Sequence, residues 1–265
     1  ARVNLRRLTN VHWLEFGDAR LVALDDAGQH AIVQVVIHSS IARSEKFAVL
    51  EQLLRRGKPA GRRAAVTALA EFQGVEANRL ILRALRDQDV HVQAGALAQL
   101  RTRGLPGALA TLIDALDSRH AVIRKTACEC LGEFTFRRYL SAFDSMTDEV
   151  RESTGNLVRK VDSQTVGLLS TEMKAPSRSR RLRAIEIVST LDMTAELEDK
   201  LHELLDDDDH MVRVEAATAL SQCPTEKTRQ ALRTSLLDRS VSVRNAAERA
   251  LQELATATPR KQAVI

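Results

Sequence analysis

Apolar residues recur along the chain at a spacing typical of paired helices, and the whole pattern repeats about every 31 residues. We number each repeat from one polar residue, position zero, which is arginine in six repeats and glutamine in two. The eight residues at position zero are Gln29, Arg62, Gln93, Arg124, Arg151, Arg181, Arg213 and Arg244.

The apolar positions predict two helices in each repeat. Position +7 is aliphatic throughout, from Val36 to Leu251, and position +3 is alanine in six repeats. Positions −12 and −8 are apolar as well, with Gly17 at −12 of the first repeat as the exception. Residues four apart share one face of a helix, so −12 and −8 mark a first helix and +3 and +7 mark a second.

Position −4 predicts where each second helix begins. Asp, Ser and Thr at this position are N-cap residues, whose side-chain oxygen accepts from a free backbone N–H of the new helix. The predicted N-caps are Asp25, Asp89, Thr147, Ser177, Asp209 and Ser240, and the exceptions are Lys58 and His120. Pro59 after Lys58 fits the first helical position, where its missing N–H costs nothing.

A single helical pair cannot bury its apolar faces, but stacked pairs bury them in one continuous core. We therefore predict a solenoid over residues 17–255, an N-terminal cap segment over 1–16 that includes Trp13 and Phe16, and a disordered tail over 256–265. The step from Arg124 to Arg151 is only 27 residues. We expect a shortened element around Gly132–Ser145 and a local change of the superhelix there.

The composition of the 265 residues agrees with an all-α fold. Aromatic residues make up 3%, and 11 Gly and 5 Pro are few for the frequent turns of a β-sandwich or barrel. No stretch approaches the roughly 20 apolar residues of a membrane span, so we expect no membrane insertion. Three cysteines, an odd number in a long chain, do not form a disulfide framework. A reducing compartment is therefore favoured, and we expect a cytoplasmic protein. Since residue 1 is Ala, we expect a segment of a longer protein.

A turn with Asp, followed by Val-Arg-x-x-Ala-x-x-x-Leu on the second helix, resembles the HEAT-repeat family. The most typical versions are Val92-Gln93, Ile123-Arg124, Val150-Arg151, Val212-Arg213 and Val243-Arg244. The resemblance covers about residues 17–254, and the short step is similar to bacterial and phycobilisome-lyase-type HEAT repeats. It implies an all-α fold, a right-handed α-solenoid of about eight two-helix repeats, used for scaffolding and binding.

The arginine at position zero is the most regular polar feature, and it has two interpretations. The row could be a ladder of cations for an anionic partner. Alternatively, each arginine lies beside the turn and pairs with an aspartate of its own or the adjacent repeat, such as Asp207 or Asp238. The family resemblance favours the second interpretation.

The resemblance also implies that second helices line the inner surface of the array. If +3 and +7 face the core, then +1, +5 and +8 face outward. Both charge signs occur there, which suits a protein or peptide segment better than a phosphate backbone; the alternative is a merely solvated face. The candidate partner-binding residues are Arg63, Arg101, Lys125, Glu129, Glu152, Asn156, Arg159, Glu186 and Arg249.

Two basic clusters surround inter-helix turns and could contact phosphates or an acidic partner. The first contains Arg55, Arg56, Lys58, Arg62 and Arg63, and the second contains Lys174, Arg178, Arg180, Arg181 and Arg183. The formal net charge is only +4, and stacking aromatics are lacking. Nucleic acid is therefore the less favoured partner, and solvated turns are the alternative.

Signatures of an enzyme are missing from the sequence. There is no Gly-rich phosphate loop, no Gly-x-Ser-x-Gly elbow and no His-Glu-x-x-His motif. HEAT-type deoxyhypusine hydroxylases bind iron through several His-Glu pairs, whereas this chain has only His202-Glu203. We expect no catalytic residue, no metal and no cofactor.

These observations lead to one function and two alternatives. We expect a non-enzymatic protein-binding or scaffolding module, monomeric in isolation. The alternatives are a subunit of a bilin-lyase-like enzyme, which would carry a chromophore, and a basic nucleic-acid clamp.

Overall fold

The computed structural model describes residues 5–7, 9 and 19–256 of the chain. Within these ranges the regular structure is entirely helical, and sixteen α-helices form eight successive pairs. The chain divides into two compact units, Ala1–Gly132 and Glu133–Ile265, and each unit holds four of the pairs.

In the first unit, the second helices of successive pairs pack side by side: α4 lies between α2 and α6, and α6 also contacts α8. The helices are α1 (Ala19–Ala23), α2 (Asp26–His38), α3 (Arg43–Arg56), α4 (Pro59–Ala68), α5 (Val75–Ala84), α6 (Val90–Leu97), α7 (Ala108–Ala115) and α8 (Ala121–Cys130).

The second unit repeats this arrangement, with α14 packed between α12 and α16. Its helices are α9 (Phe136–Ala142), α10 (Asp148–Val161), α11 (Thr165–Met173), α12 (Arg178–Thr190), α13 (Glu198–Leu204), α14 (His210–Ala219), α15 (Glu226–Ser235) and α16 (Val241–Thr256).

The predicted register of the repeat is confirmed by burial. The six alanines at +3, such as Ala65 and Ala216, are fully buried where neighbouring second helices meet. A small side chain at this position lets two helices approach closely. The aliphatic residues at +7 are buried in every repeat except the last, where Leu251 is half-buried.

Asp25, Asp89, Thr147, Ser177 and Asp209 occupy N-cap positions as predicted, but only the aspartates make the predicted side-chain bond. The carboxylates of Asp25, Asp89 and Asp209 accept hydrogen bonds from the first backbone N–H groups of α2, α6 and α14. Thr147 makes no side-chain cap bond, and the hydroxyl of Ser177 lies 2.9 Å from that of Ser179 instead.

Other features of the helix starts complete this picture. Pro59 occupies the first turn of α4, as predicted. Thr135 and Thr225 cap the first helices α9 and α15, which the repeat pattern did not reveal. At α10, Asp148 and Glu149 in the first turn interact favourably with the helix dipole, so that start does not depend on the Thr147 hydroxyl.

The first helix within Gly132–Ser145 is short, with seven residues, but α13 is equally short within an ordinary step of 32 residues from Arg181 to Arg213. Helix α8 ends at Cys130, α9 covers only Phe136–Ala142, and the boundary between the two units falls at Gly132. The expected change of the superhelix there stays a prediction. Most of the N-terminal segment, with Trp13 and Phe16, and residues 257–265 lie outside the described residues. Thr256, which the sequence placed in the tail, is the last residue of α16.

The buried +7 row provides a test of the register. Leu131 is fully buried, so Leu131→Asp places an unpaired carboxylate among apolar side chains. We expect a loss of at least about 3 kcal/mol in the free energy of unfolding. Leu109→Asp, at a leucine that is 49% exposed in the same unit, is the matched control and should change little. Equal melting curves for the two variants would contradict the register.

Candidate binding surfaces

The side chains at position zero turn back toward the first helix of their own repeat. Arg62 Nη1 donates to the carbonyl oxygen of Gly57 (2.8 Å), and Arg124 Nη1 donates to that of Ser118 (2.8 Å). These carbonyls follow the end of a helix, where backbone oxygens have no partner within the helix. The guanidinium therefore supplies hydrogen-bond donors to the carbonyl oxygens of the turn between the two helices of a pair.

Three of these arginines also bind an aspartate of the following repeat. The ion pairs are Arg62–Asp87 (2.9 Å), Arg181–Asp207 (2.8 Å) and Arg213–Asp238 (2.9 Å). We call this arrangement the inter-repeat clamp. The sequence interpretation that paired the arginines with Asp207 and Asp238 is confirmed.

Each clamp aspartate, six residues before the next position zero, also holds its own turn. One carboxylate oxygen of Asp207 accepts from the backbone N–H of Asp209 (2.9 Å), and Asp238 accepts likewise from Ser240 (2.7 Å). The same carboxylate thus fixes the turn geometry and receives the previous repeat's guanidinium. Because Arg213 is buried, with only 5% of its side chain exposed, the clamp removes this cation from solvent.

Gln29 performs the same task without a charge. Its amide nitrogen donates to the carbonyls of Leu21 and Val22, and its amide oxygen accepts from the backbone N–H of Lys58 (2.7 Å). The residue at the clamp position of that next repeat is Arg56, which would repel an arginine at position 29. The uncharged side chain of Gln29 therefore avoids repulsion from Arg56.

The hypothesis of a cation ladder for an anionic partner is not supported by these contacts. The arginines at position zero donate into the turns. Three of them are neutralised by the clamp aspartates, and a fourth, Arg151, pairs with Asp148 and Glu186. In the last repeat Arg244 donates to the carbonyl of Asp238 (2.7 Å), and no carboxylate in the described part of the chain pairs with it.

Four of the nine predicted partner-binding residues make contacts between repeats. Arg63 pairs with Asp89, and Arg101 donates to the carbonyl of Cys130 (3.2 Å). Arg159 donates to the carbonyl of Leu191 (2.9 Å) and pairs with Glu196, and Glu186 pairs with Arg151 (2.9 Å). These four side chains stabilise the stack of helices.

The other five predicted residues are exposed on second helices. Lys125 and Glu129 lie within 3.9 Å of each other on α8, a weak pair one turn apart. Glu152, Asn156 and Arg249 make no side-chain hydrogen bond or ion pair with the residues that the structure describes. Three of the nine candidates thus keep their polar groups available.

Positions +1, +5 and +8 of neighbouring second helices do meet, at a groove of about 250 Å³ between α14 and α16. We call it the second-helix groove. Its lining includes the polar residues Thr218, Ser221, Ser242, Asn245, Arg249 and Glu253. A second hollow, of about 320 Å³ between α10 and α12, has Glu152, Glu186 and Ser189 in its wall.

The first basic cluster splits into two sets. Arg62 and Arg63 belong to ion pairs with Asp87 and Asp89, and the backbone N–H of Lys58 donates to Gln29. Arg55 pairs with the exposed Glu51 on its own helix (2.6 Å). For Arg56, the described part of the chain contains no ion-pair partner.

Arg55, Arg56 and Arg62 line a groove of about 1140 Å³ within the first unit, which we call the arginine groove. Its lining also includes two residues that the sequence interpretation missed, Arg83 and Arg86, and the leucines Leu54, Leu80, Leu82 and Leu85. The signal was present in the sequence, since Arg86 occupies the same repeat position as Arg55, seven residues before position zero.

The second basic cluster is neutralised throughout by acidic side chains. The pairs are Lys174–Glu203, Arg178–Asp209, Arg180–Glu172, Arg181–Asp207 and Arg183–Asp144. Glu172 shows the effect, because the hydrogen bond from Arg180 lowers the pKa of its carboxyl. This cluster has little net charge to offer an anion.

Groups with chemical reactivity have structural contacts. The ring nitrogen Nε2 of His202 lies 2.9 Å from the Thr228 hydroxyl, and burial lowers the pKa of the imidazole. Burial raises the pKa of the Cys223 thiol. Among residues 5–7, 9 and 19–256, no cluster of His, Cys, Asp and Glu could hold a metal ion, and no helix is long and apolar enough to cross a membrane.

A family model described as HEAT repeats matches residues 47–132 and 167–252, which together are more than half of the chain. The chain belongs to the HEAT-repeat family. The clamp residues Arg62, Asp87, Arg181, Asp207 and Arg213 all lie in these HEAT stretches. No curated protein sequence matches the chain significantly.

Solved structures similar to this HEAT chain include human deoxyhypusine hydroxylase in complex with glycerol, with 18% identity, 87% of this chain and 96% of that chain covered, and a TM-score of 0.35. A designed armadillo repeat protein in complex with the peptide (KR)4 is 18% identical, with 85% and 99% covered and a TM-score of 0.32. At these TM-scores neither likeness carries an argument about this chain.

The inter-repeat clamp predicts that replacing one of two adjacent aspartates lowers the free energy of unfolding much more than replacing the other. Asp207→Asn removes the charge that neutralises Arg181, so we expect a loss of about 2–3 kcal/mol in the free energy of unfolding. Asp208→Asn is the control, because this exposed carboxylate binds no group in the described structure, and should change stability by less than about 0.5 kcal/mol. Similar denaturant midpoints for both variants would refute the clamp.

A second prediction concerns how the stability of the fold depends on pH. The hydrogen bond from Arg63, supported by the backbone N–H groups of His91 and Val92, lowers the pKa of Asp89 to about 2 from its ordinary 3.8. Because the folded-state pKa is the lower one, this stabilisation is complete above pH 3.8 and is lost as the pH falls toward about 2.

Asp89→Asn keeps the cap geometry and removes the charge. We expect the variant to melt at a lower temperature than the wild type at pH 7, and the gap to close on acidification through this window. A gap that stays constant with pH would show that the ion pair with Arg63 contributes nothing.

Proposed function

We propose that this HEAT-repeat chain is a non-enzymatic protein-binding module whose second-helix surface holds a segment of a partner protein. The observation that carries the proposal is the second-helix groove between α14 and α16. There, Asn245 and Arg249 make no side-chain hydrogen bond with any residue that the structure describes, while Arg63, Arg159 and Glu186 on other second helices are held in contacts between repeats.

The chemistry of the groove suits a peptide. An Asn side chain both donates and accepts hydrogen bonds, so it complements the C=O and N–H of a peptide group. The hydroxyls of Ser221 and Ser242 add short polar groups, and Arg249 and Glu253 supply one charge of each sign. A phosphate backbone would require several cations and few anions instead.

Affinity in this proposal comes from a few residues in the groove rather than from the total area of contact. Asn245 and Arg249 lie one helical turn apart on α16, so a single bound segment can contact both. We further propose that the chain is a cytoplasmic monomer in isolation. Three cysteines, an odd number in a long chain, do not suggest a disulfide framework, which supports the cytoplasmic location.

The proposal is tested by selecting peptides from a random displayed library on the full chain and measuring their affinity for variants. We expect the double variant Asn245→Ala, Arg249→Ala to weaken the selected peptides by about tenfold or more, because hot-spot contacts are lost. Its melting temperature should not change, since neither side chain has an intramolecular partner in the described structure.

Gln230→Ala, at an exposed residue of the first helix α15, is the matched control and should leave affinity unchanged. A selection that yields no binders, or binders that are indifferent to the double variant, would contradict the proposal.

A further inference from the structure

The arginine groove concentrates positive charge on the first unit. Five arginines line it, whereas Asp87 is the one acidic residue in its lining. Of the five, Arg62 is neutralised by Asp87, and Arg55 is shared with Glu51 on the same helix.

The remaining three arginines form no ion pair within the described part of the chain. Arg56, Arg83 and Arg86 are exposed, and no carboxylate in the described part of the chain lies within ion-pair distance of them. This distinguishes the groove from the second basic cluster, where every cation has an acidic partner. Three neighbouring unpaired arginines leave a positive potential directed at solvent.

Leucine side chains also line the groove. Leu54 and Leu80 are buried beneath it, and Leu82 is 48% exposed at its surface. A ligand that only carried negative charge would leave Leu82 in water. A ligand with aliphatic side chains between its acidic groups would cover Leu82 while pairing with the arginines.

We propose that the arginine groove binds an acidic peptide segment of another protein, in which carboxylates pair with Arg56, Arg83 and Arg86 and an aliphatic side chain packs on Leu82. Nucleic acid fits less well, because no aromatic side chain lines the groove to stack a base. This site is on first helices and turns, and it is separate from the second-helix groove of the proposed function.

The test uses fluorescence anisotropy on the full chain with three labelled probes. The first is a glutamate-rich peptide with interspersed leucines, the second has glutamine in place of each glutamate, and the third is a single-stranded oligonucleotide of the same charge as the first. We expect the first probe to bind most tightly and to weaken as salt is raised.

Two variants and one control locate the binding. Arg83→Glu, Arg86→Glu should weaken the acidic peptide by about tenfold or more through loss of charge complementarity. Leu82→Ser should weaken it severalfold without changing its salt dependence. The control Arg79→Glu, Arg137→Glu makes the same change in net charge at exposed residues outside the groove and should have no effect.

We expect both variants to melt at the wild-type temperature, because the replaced side chains are exposed, and this measurement checks that they fold. The proposal is overturned if the oligonucleotide binds more tightly than the peptide, if the glutamine peptide binds equally well, or if the control weakens binding as much as the groove variants. The variant at Asn245 and Arg249 should bind the acidic peptide normally, so this test and that of the second-helix groove can fail separately.

Discussion

A guanidinium group that lies between two helical hairpins needs acceptors for its five N–H groups, and the turns of this chain supply them. The carbonyls after a first helix accept from one side of the position-zero arginine, and an aspartate of the following repeat accepts from the other. The arginine therefore closes the turn of its own hairpin and fixes the next hairpin beside it. Stacking of the apolar +3 and +7 rows provides the burial, and the clamp specifies the register in which they stack.

The use of charged side chains in contacts between repeats limits where a partner can bind. Charged residues that hold repeats together, such as Arg63, Arg159 and Glu186, are unavailable to a partner unless the stack gives up a contact. Two groups of side chains without such contacts line grooves: Asn245 and Arg249 in the second-helix groove, and Arg56, Arg83 and Arg86 in the arginine groove. One offers mixed polar groups and the other offers positive charge over exposed leucine, so we expect partner segments of different chemistry.

The helices and their register could be predicted from the sequence because burial imposes a strict pattern. Each +3 alanine and +7 leucine faces another helix, and a repeat of about 31 residues makes the signal visible eight times. Caps were harder to predict, because Ser177 and Thr147 have the right chemistry but make no cap bond, and the Ser177 hydroxyl contacts that of Ser179 instead. The arginine groove was predictable in part: Arg55 and Arg56 are adjacent in sequence, whereas Arg83 and Arg86 join them only through the stacking of α3 and α5. Which cations were neutralised depended on side-chain geometry that the spacing does not encode.

The central claim, that the clamp joins neighbouring repeats, is tested most directly by double-mutant cycles. One cycle combines Arg213→Gln with Asp238→Asn, and the other combines Arg55→Gln with Glu51→Gln, an exposed pair within one helix. We predict a coupling free energy of about 2 kcal/mol or more for Arg213 and Asp238, and less than about 0.5 kcal/mol for the exposed pair. Equally small coupling energies in the two cycles would contradict the account.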